Sequence, residues 1–309
     1  MVAKFFNKTK PVNTLLILFF LLIIFISSLF LYPDSFQNLT NFGERILFLI
    51  LFLFGLLLIN FIVHKNGLTK NNSYVILFVT LFAGMFPQVL SNGKVILTNF
   101  LLLLAFRRIY SLRSLKEINE KLFDGALLVG VATLFYSWSI LYLFLVYVAI
   151  SVFQKSNMRT ILIPLVGFIS PVFLYWVYII SLNGFSAFAI HFETGYDFSA
   201  YNVWHLLLPT ALLVSFLLWS VFPTTFKIIS VNNEFRDLWK LLLYHTIVSV
   251  IVIFLYPVKD GSELLFLFFP VSIILTNYLQ TVKEKWFKEV VLYLFIVIAV
   301  WSLFYNFSP

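Results

Sequence analysis

Long apolar runs, separated by short polar segments, dominate the chain. A helix that crosses a bilayer needs about 20 predominantly apolar residues. Eight runs approach or reach that length: residues 14–31, 46–63, 74–90, 160–182, 204–221, 239–256, 264–279 and 287–305. The pattern predicts an all-α fold, a polytopic bundle of transmembrane helices.

Two further runs leave the number of crossings open. Residues 95–106 form a short run that ends at two arginines, and residues 125–153 form a long one. As a single helix the second run would be about 43 Å long. That length is more than one crossing of the bilayer requires and barely enough for two. A hairpin that breaks near residues 135–137 brings the total to about 11 spans. Either run could instead be re-entrant.

The distribution of basic residues favours an even number of crossings within residues 125–153 and leaves the re-entrant alternative open. With a hairpin at 125–153, 18 of the 21 Lys and Arg residues fall on the side of the N-terminus, and Arg45, Lys94 and Lys259 fall opposite. With a single crossing the division becomes 11 against 10. Cytoplasmic loops of membrane proteins carry an excess of Lys and Arg. We therefore expect a bacterial inner-membrane protein with a cytoplasmic N-terminus and an outer C-terminus.

Composition excludes several other classes of protein. Hydrophobic residues make up 61% of the chain and charged residues 11%, where soluble domains carry about a quarter charged residues. The net charge of +8 arises in the short loops, so nucleic acid is not an expected partner. The absence of Cys excludes disulfides and thiolate sites. The spans use most of residues 1–309, which predicts a single integral-membrane domain.

Residues 107–123 combine an apolar face with a charged one. Apolar residues recur at steps of three and four, which predicts an amphipathic helix that lies in the membrane interface. Arg107, Arg108 and Arg113 would then approach lipid headgroups. Two interpretations remain open: simple packing on the membrane surface, and specific binding of a phosphorylated headgroup.

The predicted outer loops carry the residues with candidate chemistry. The aromatic-rich loop 183–203 contains His191, Glu193 and Asp197, and the first outer loop contains Asp34. These acids could be solvated loop residues, catalytic carboxylates or metal ligands. The spacing matches no established metal motif, so we predict no metal ligand and name no cofactor.

Several short motifs between residues 60 and 150 resemble a family of small polytopic bacterial inner-membrane proteins of unknown function. The motifs are Lys65-Asn66-Gly67-Leu68-Thr69, Asn72-Ser73-Tyr74, Phe86-Pro87, Ala105-Phe106-Arg107-Arg108, Ser111-Leu112-Arg113-Ser114, Lys121-Leu122-Phe123-Asp124 and Leu134-Phe135-Tyr136-Ser137-Trp138. This resemblance implies a membrane fold and no particular activity.

A more distant likeness concerns residues 121–153, where Gly125, Gly130 and Ala132 precede a break and a second apolar helix. This arrangement is similar to that of multi-span glycosyltransferases that use polyprenyl-phosphate sugars. The resemblance implies a catalytic acid in the first outer loop, at the position of Asp34. That loop is shorter here than in those enzymes.

Three hypotheses about function follow, the third of which is a facilitative channel, since no charged pore line is visible in the sequence. The first is a glycosyltransferase-like enzyme at the outer face, with Asp34 as the base and with His191, Glu193 and Asp197 positioning a polyprenyl-linked substrate. The second is a non-catalytic subunit or scaffold of a cell-envelope assembly, with other membrane subunits as partners. No charged residue lies near the middle of a span, which argues against an ion-coupled transporter.

Overall fold

The computed structural model describes residues 2–31, 39–114, 116–153, 157–183, 192–231 and 233–305. Over these ranges the chain is almost entirely helical and contains no β-strand, which confirms the predicted all-α class. Twelve α-helices occur in the described ranges: α1 (Val2–Phe6), α2 (Pro11–Leu31), α3 (Leu39–Asn66), α4 (Tyr74–Met85), α5 (Gly93–Tyr110), α6 (Ile118–Phe135), α7 (Tyr142–Val152), α8 (Met158–Asn183), α9 (Trp204–Val231), α10 (Asn233–Leu255), α11 (Leu265–Thr281) and α12 (Lys285–Tyr305).

The chain divides into two compact units. The first contains residues Met1–Ile96, Asp197–Asn233 and Val258–Pro309, and the second contains Leu97–Tyr196 and Glu234–Pro257. Both units are built from apolar helices. The single integral-membrane domain expected from the sequence therefore remains a prediction.

Two buried helices, α4 and α11, form the centre of the first unit. Every residue of α4 is buried, and so are residues 265–279 of α11. Helices α2, α3 and α12 pack against α4, and α9 packs against α11 and α12. Aromatic rings fill the space between them: the centroid of the Phe82 ring lies 5.4 Å from that of Phe268 and 5.9 Å from that of Phe295. Such ring pairs stabilise a core beyond the area they bury.

Close contact between α6 and α8 characterises the second unit. A Cβ atom on Gly130 would lie 2.6 Å from the carbonyl oxygen of Phe168, and one on Gly167 would lie 2.6 Å from that of Phe123. Only glycine allows the two backbones to approach this closely, as is common between membrane helices.

A buried histidine links two helices of the second unit. His245 on α10 lies with its Nδ1 atom 3.2 Å from the hydroxyl of Tyr110 on α5. The side chain of His245 is fully buried, so the hydrogen bond offsets part of the cost of removing a polar ring from water.

The predicted break near residues 135–137 is confirmed. Helix α6 ends at Phe135, Tyr136 is extended with φ −141° and ψ 109°, and a 3₁₀ turn over Ser137–Leu141 leads into α7. The hydroxyl of Tyr136 donates a hydrogen bond to the carbonyl of Val252 at 3.0 Å, which fixes the position of the break in the second unit.

The predicted span at residues 74–90 is interrupted. Helix α4 ends at Met85, and a 3₁₀ turn follows over Pro87–Ser91. Proline lacks a backbone N–H and disfavours helical geometry at the preceding residue, here Phe86 with φ −129°. The sequence carried this signal in Pro87, but the continuous apolar pattern concealed it.

Eight helices in the described part of the chain are long and apolar enough to cross a membrane. They are Pro11–Leu31, Thr40–Asn66, Gly93–Ser114, Met158–Leu182, Trp204–Ser230, Phe235–Leu255, Ser262–Thr281 and Lys285–Tyr305. The chain is thus a multi-pass membrane protein by the length and composition of its helices. A total of about 11 spans would also require α4, α6 and the helical segment Ser137–Val152, and it remains a prediction together with the orientation of the termini.

Residues 107–123 do not form the single helix that the sequence predicted. Helix α5 continues to Tyr110, a 3₁₀ turn covers Ser111–Ser114, and α6 begins at Ile118. Glu117, immediately before α6, has a left-handed backbone with φ 50°, and the buried Lys121 donates hydrogen bonds to the Ser111 carbonyl at 3.2 Å and to Ser114 Oγ at 2.7 Å. A position in the membrane interface remains a prediction for this segment.

Candidate functional site

A tight turn in front of α11 gathers polar side chains in the first unit. Gly261 has φ +92°, a left-handed conformation that favours glycine, and Asp260 precedes it as in many turns. Asp260 Oδ1 accepts hydrogen bonds from the backbone N–H of Ser262 at 2.9 Å and from its hydroxyl at 2.6 Å. These two hydrogen bonds therefore fix the backbone conformation of the turn at residues 259–263.

Glu263, which ends this turn, is a fully buried carboxylic acid. Its Oε1 atom accepts a hydrogen bond from the Tyr201 hydroxyl at 2.7 Å, and its Oε2 atom accepts one from the backbone N–H of Gly261 at 2.8 Å. Burial of a charged group is costly unless hydrogen bonds replace the lost water, and here both oxygens have donors. The carboxylate is therefore held in one orientation.

Lys259 brings a cation to the same turn. The residue is 5% exposed, and its Nζ atom lies 5.2 Å from the centroid of the Phe198 ring, a cation–π contact. Burial lowers the pKa of Lys259, and the negative charge of Glu263 acts in the opposite direction. Burial raises the pKa of Tyr201, and the charges of Glu263 and Asp260 raise it further.

The 3₁₀ turn Pro87–Ser91 and the residue that follows it form the other side of the cluster. The side-chain amide of Asn92 donates a hydrogen bond to Ser262 Oγ at 2.9 Å. Gln88 is 7% exposed, and its Oε1 atom is buried without a hydrogen-bond partner among the described residues. This oxygen lies 4.0 Å from the position that a Cβ atom would take on Gly261. We call residues Gln88, Asn92, Tyr201, Lys259, Asp260, Ser262 and Glu263 the polar turn cluster.

Arg45 also lies next to this 3₁₀ turn, because its Nη1 atom donates to the carbonyl of Leu90 at 3.4 Å. Lys94 follows four residues later, near the start of α5. All three basic residues that the charge distribution assigns to the outer side are thus in the first unit, at or close to the polar turn cluster. Cations at this end could attract a phosphate group, and the buried acids could hold those cations in place.

The residues predicted from the sequence as catalytic are only partly described. Asp34 and His191 lie outside the described residues. Glu193 is exposed and belongs to the second unit, where its backbone carbonyl accepts a hydrogen bond from Trp138 Nε1 at 3.0 Å. Asp197 is exposed and belongs to the first unit. The predicted composite site remains a prediction.

The environment of Asp197 makes it a weak base. Its Oδ1 atom accepts a hydrogen bond from the backbone N–H of Ser199 at 2.9 Å. This bond, with a side-chain hydrogen bond from the same residue, lowers the pKa of Asp197. Within the described residues no group of three or more His, Asp or Glu residues could hold a metal ion.

The three arginines predicted to bind headgroups lie in the second unit. Arg107 and Arg113 are exposed. Arg108 forms a salt bridge of 2.7 Å with Asp124, between Nη2 and Oδ2, and both side chains are partly exposed. Asp124 lies inside α6, six residues after the helix begins at Ile118.

The sequence did not single out Tyr201, Lys259 or Glu263 as a group. Tyr201 appeared only as one of many aromatic residues in loop 183–203, and the segment 259–263 as an ordinary outer turn. One signal was available: Lys259 is one of only three basic residues on the predicted outer side, and two acids follow it within four residues.

Searches among curated proteins and among solved structures find no match to this chain. A family match does extend over residues 10–308, which is nearly the whole chain and includes the polar turn cluster, all of the second unit and all of the first except residues 1–9 and 309. The family is described as a family of unknown function (DUF6427). On the basis of this match, the chain belongs to the DUF6427 family.

Proposed function

We propose that this chain is a glycosyltransferase-like protein of the bacterial inner membrane that acts on a polyprenyl-linked sugar at the outer face. The observation that carries the proposal is the polar turn cluster, in which Lys259, Tyr201 and Glu263 lie together at the predicted outer end of the first unit. A polyprenyl-phosphate sugar presents a phosphate, which needs a cation, and sugar hydroxyls, which need polar partners.

The reaction would proceed by attack of an acceptor hydroxyl on the anomeric carbon of the sugar. A carboxylate base takes the hydroxyl proton while the new carbon–oxygen bond forms. The bond between the anomeric carbon and the phosphate oxygen breaks, and polyprenyl phosphate leaves with the bonding electrons. The negative charge that develops on this phosphate would be stabilised by Lys259.

The described acids differ in their suitability as the base. Both oxygens of Glu263 already accept hydrogen bonds and the side chain is buried, so Glu263 would position Lys259 and Tyr201. Asp197 has a lowered pKa, which reduces its basicity. Asp34 remains the preferred base because of its match to the catalytic position in the resembling enzymes. The role in positioning the substrate that the sequence suggested for Glu193 and His191 remains a prediction.

A second function, as a non-catalytic subunit of an envelope assembly, is favoured by helix α8. Only 6% of the most apolar 18-residue stretch of α8 is buried, whereas at least 28% of the corresponding stretch is buried in each of the other seven candidate spans. Lipid can cover such a surface, and so can a helix of another membrane subunit. The two functions lead to different results in one experiment.

The test uses the purified protein in proteoliposomes, with undecaprenyl phosphate that carries a labelled hexose as donor and extracted envelope glycolipids as acceptor. We expect transfer of the label by the wild type and a loss of about 10²- to 10⁴-fold in Asp34→Asn, the usual contribution of a general base. Asp237→Asn is the matched control, since this acid is partly exposed and forms a salt bridge of 3.1 Å with the neighbouring Lys240. Absence of transfer, with a stoichiometric membrane partner in the purified sample, would overturn the enzymatic proposal in favour of the subunit.

A further inference from the structure

A lysine-rich cavity lies in the first unit, between α1 and the first turns of α12. Its volume is about 530 Å³, and α1, Tyr74 and residues 283–289 contribute to its wall. The side chains that matter for its charge are Lys4, Lys283, Lys285, Lys288 and Glu289. Four cations and one carboxylate leave an excess of positive charge. We call this space the lysine cavity.

Neighbouring groups add positive charge and hold the one carboxylate of the wall in place. The carboxylate of Glu289 accepts a hydrogen bond of 3.2 Å from the backbone N–H of Ala3, so it is engaged in holding α1. Lys70 and Lys227 lie close enough to Lys288 for their positive charges to act on it. Like charges at short range repel one another, and a bound anion would remove that repulsion.

An apolar groove of about 430 Å³ adjoins α1 on another side. Its walls are almost entirely apolar and include Phe5 and Phe6 of α1, Leu16 and Phe20 of α2, and Ile296 of α12. Helix α1 thus contributes residues both to the lysine cavity and to an apolar groove. This combination matches the two parts of a phospholipid, a charged headgroup and an acyl chain.

The lysine cavity is separate from the polar turn cluster. The 17 residues of α11 lie between Glu263 and Lys283 in the first unit, a helix of about 25 Å at 1.5 Å per residue. The side of the lysine cavity is the one that the charge distribution predicts to be cytoplasmic. Basic pockets between membrane helices on that side suit anionic headgroups, and Trp286, which is 67% exposed, suits the membrane interface.

We propose that this end of the first unit binds an anionic phospholipid, with the phosphate in the lysine cavity and an acyl chain in the groove beside α1. The lysines provide the attraction for the phosphate, and the groove removes apolar chain surface from water. The occupant is a lipid because inorganic phosphate would use the cavity alone and leave the apolar groove unfilled. This inference is independent of the proposed transfer reaction.

The test is a titration of the purified full-length protein, in a neutral detergent, with phosphatidylglycerol, phosphatidylcholine or inorganic phosphate. The thermal midpoint of unfolding is the readout, since a ligand that binds only the folded state raises it. We expect phosphatidylglycerol to raise the midpoint and the other two probes to leave it unchanged. An equal rise with inorganic phosphate would mean a free anion and would overturn the lipid assignment.

Three triple variants make the test specific. In Lys283→Gln/Lys285→Gln/Lys288→Gln we expect phosphatidylglycerol to bind about a hundredfold more weakly, because each lysine near an anionic surface contributes to the attraction. Lys283→Arg/Lys285→Arg/Lys288→Arg keeps the charge and should keep the binding. The matched control is Lys8→Gln/Lys10→Gln/Lys116→Gln, which changes net charge equally at exposed lysines outside the cavity wall. An equal loss in this control would reduce the effect to non-specific attraction and refute the site.

A variant of the groove tests the acyl chain separately. Leu16→Trp would fill part of the groove without a change in charge. We expect it to weaken phosphatidylglycerol binding while the lysine cavity stays intact. Unchanged affinity in Leu16→Trp would refute the placement of the acyl chain.

Discussion

The hydroxyl of Tyr201 donates a hydrogen bond of 2.7 Å to Oε1 of Glu263, across 62 residues of sequence. The bond connects the 3₁₀ turn in front of α9 with the turn in front of α11, both in the first unit. Because Glu263 is fully buried, the tyrosine replaces a water molecule that the carboxylate has lost. The contribution of this hydrogen bond to the free energy of unfolding can therefore be measured by removing the hydroxyl.

Tyr201→Phe should destabilise the protein. Removal of the hydroxyl leaves Oε1 of a buried carboxylate without the donor described above, and hydrogen bonds to charged groups contribute about 1.5–3 kcal/mol. We expect the free energy of unfolding, measured by denaturant titration in mild detergent, to fall by about that amount. Tyr196→Phe is the control, because Tyr196 is 63% exposed. Equal stability of the two variants would show that the bond contributes nothing.

The same pair predicts a dependence of stability on pH. Burial, assisted by the charges of Glu263 and Asp260, raises the pKa of Tyr201 in the folded protein. An unfolded tyrosine has a pKa of about 10. The stability that comes from a protonated Tyr201 is therefore complete below about pH 10 and is lost as the pH rises through the folded-state value.

The measurement is the difference in unfolding free energy between wild type and Tyr201→Phe at several alkaline pH values. We expect this difference to be constant up to about pH 9 and to shrink above about pH 10. Groups far from Tyr201 also titrate in this range, but they are common to both proteins and cancel in the difference. A difference that grows with pH would contradict the assigned sign.

Gly130→Ala should loosen the contact between α6 and α8. The added Cβ atom would lie 2.6 Å from the backbone oxygen of Phe168, so one of the two helices must move. Overpacking of this kind costs about 1–3 kcal/mol. Gly43→Ala is the control: a Cβ atom on Gly43 in α3 meets nothing within 4 Å, and alanine favours helix. Thermal unfolding in detergent should show a lower midpoint only for Gly130→Ala.

The predicted topology can be tested with single cysteines, since the chain has none of its own. In right-side-out spheroplasts we expect Ser199→Cys to react with a membrane-impermeant thiol reagent. Ser199 begins the 3₁₀ turn Ser199–Asn202 in front of α9. Ser156→Cys, in the predicted cytoplasmic loop before α8, should react only after the membrane is permeabilised. The reverse pattern would invert the assignment of sides.

The sequence by itself determined the class of the molecule. Apolar runs of nearly bilayer length have few stable alternatives to helices, because backbone groups in such runs need internal hydrogen bonds. The break between α6 and α7 was also readable, since residues 125–153 are too long for one crossing and contain polar residues near the middle. These are local properties, set by neighbours along the chain.

Tertiary structure decided which distant residues meet. Lys121 was expected on the charged face of a continuous helix, yet its side chain is buried and donates hydrogen bonds to Ser111 and Ser114. Glu263 meets Tyr201 because α9 packs against α11, and Lys288 shares a cavity with Lys4 because α1 packs against α12. Helix packing depends on the shapes of whole faces, and no single stretch of sequence contains that information. The sequence therefore supplied the helices, while their packing created both the polar turn cluster and the lysine cavity.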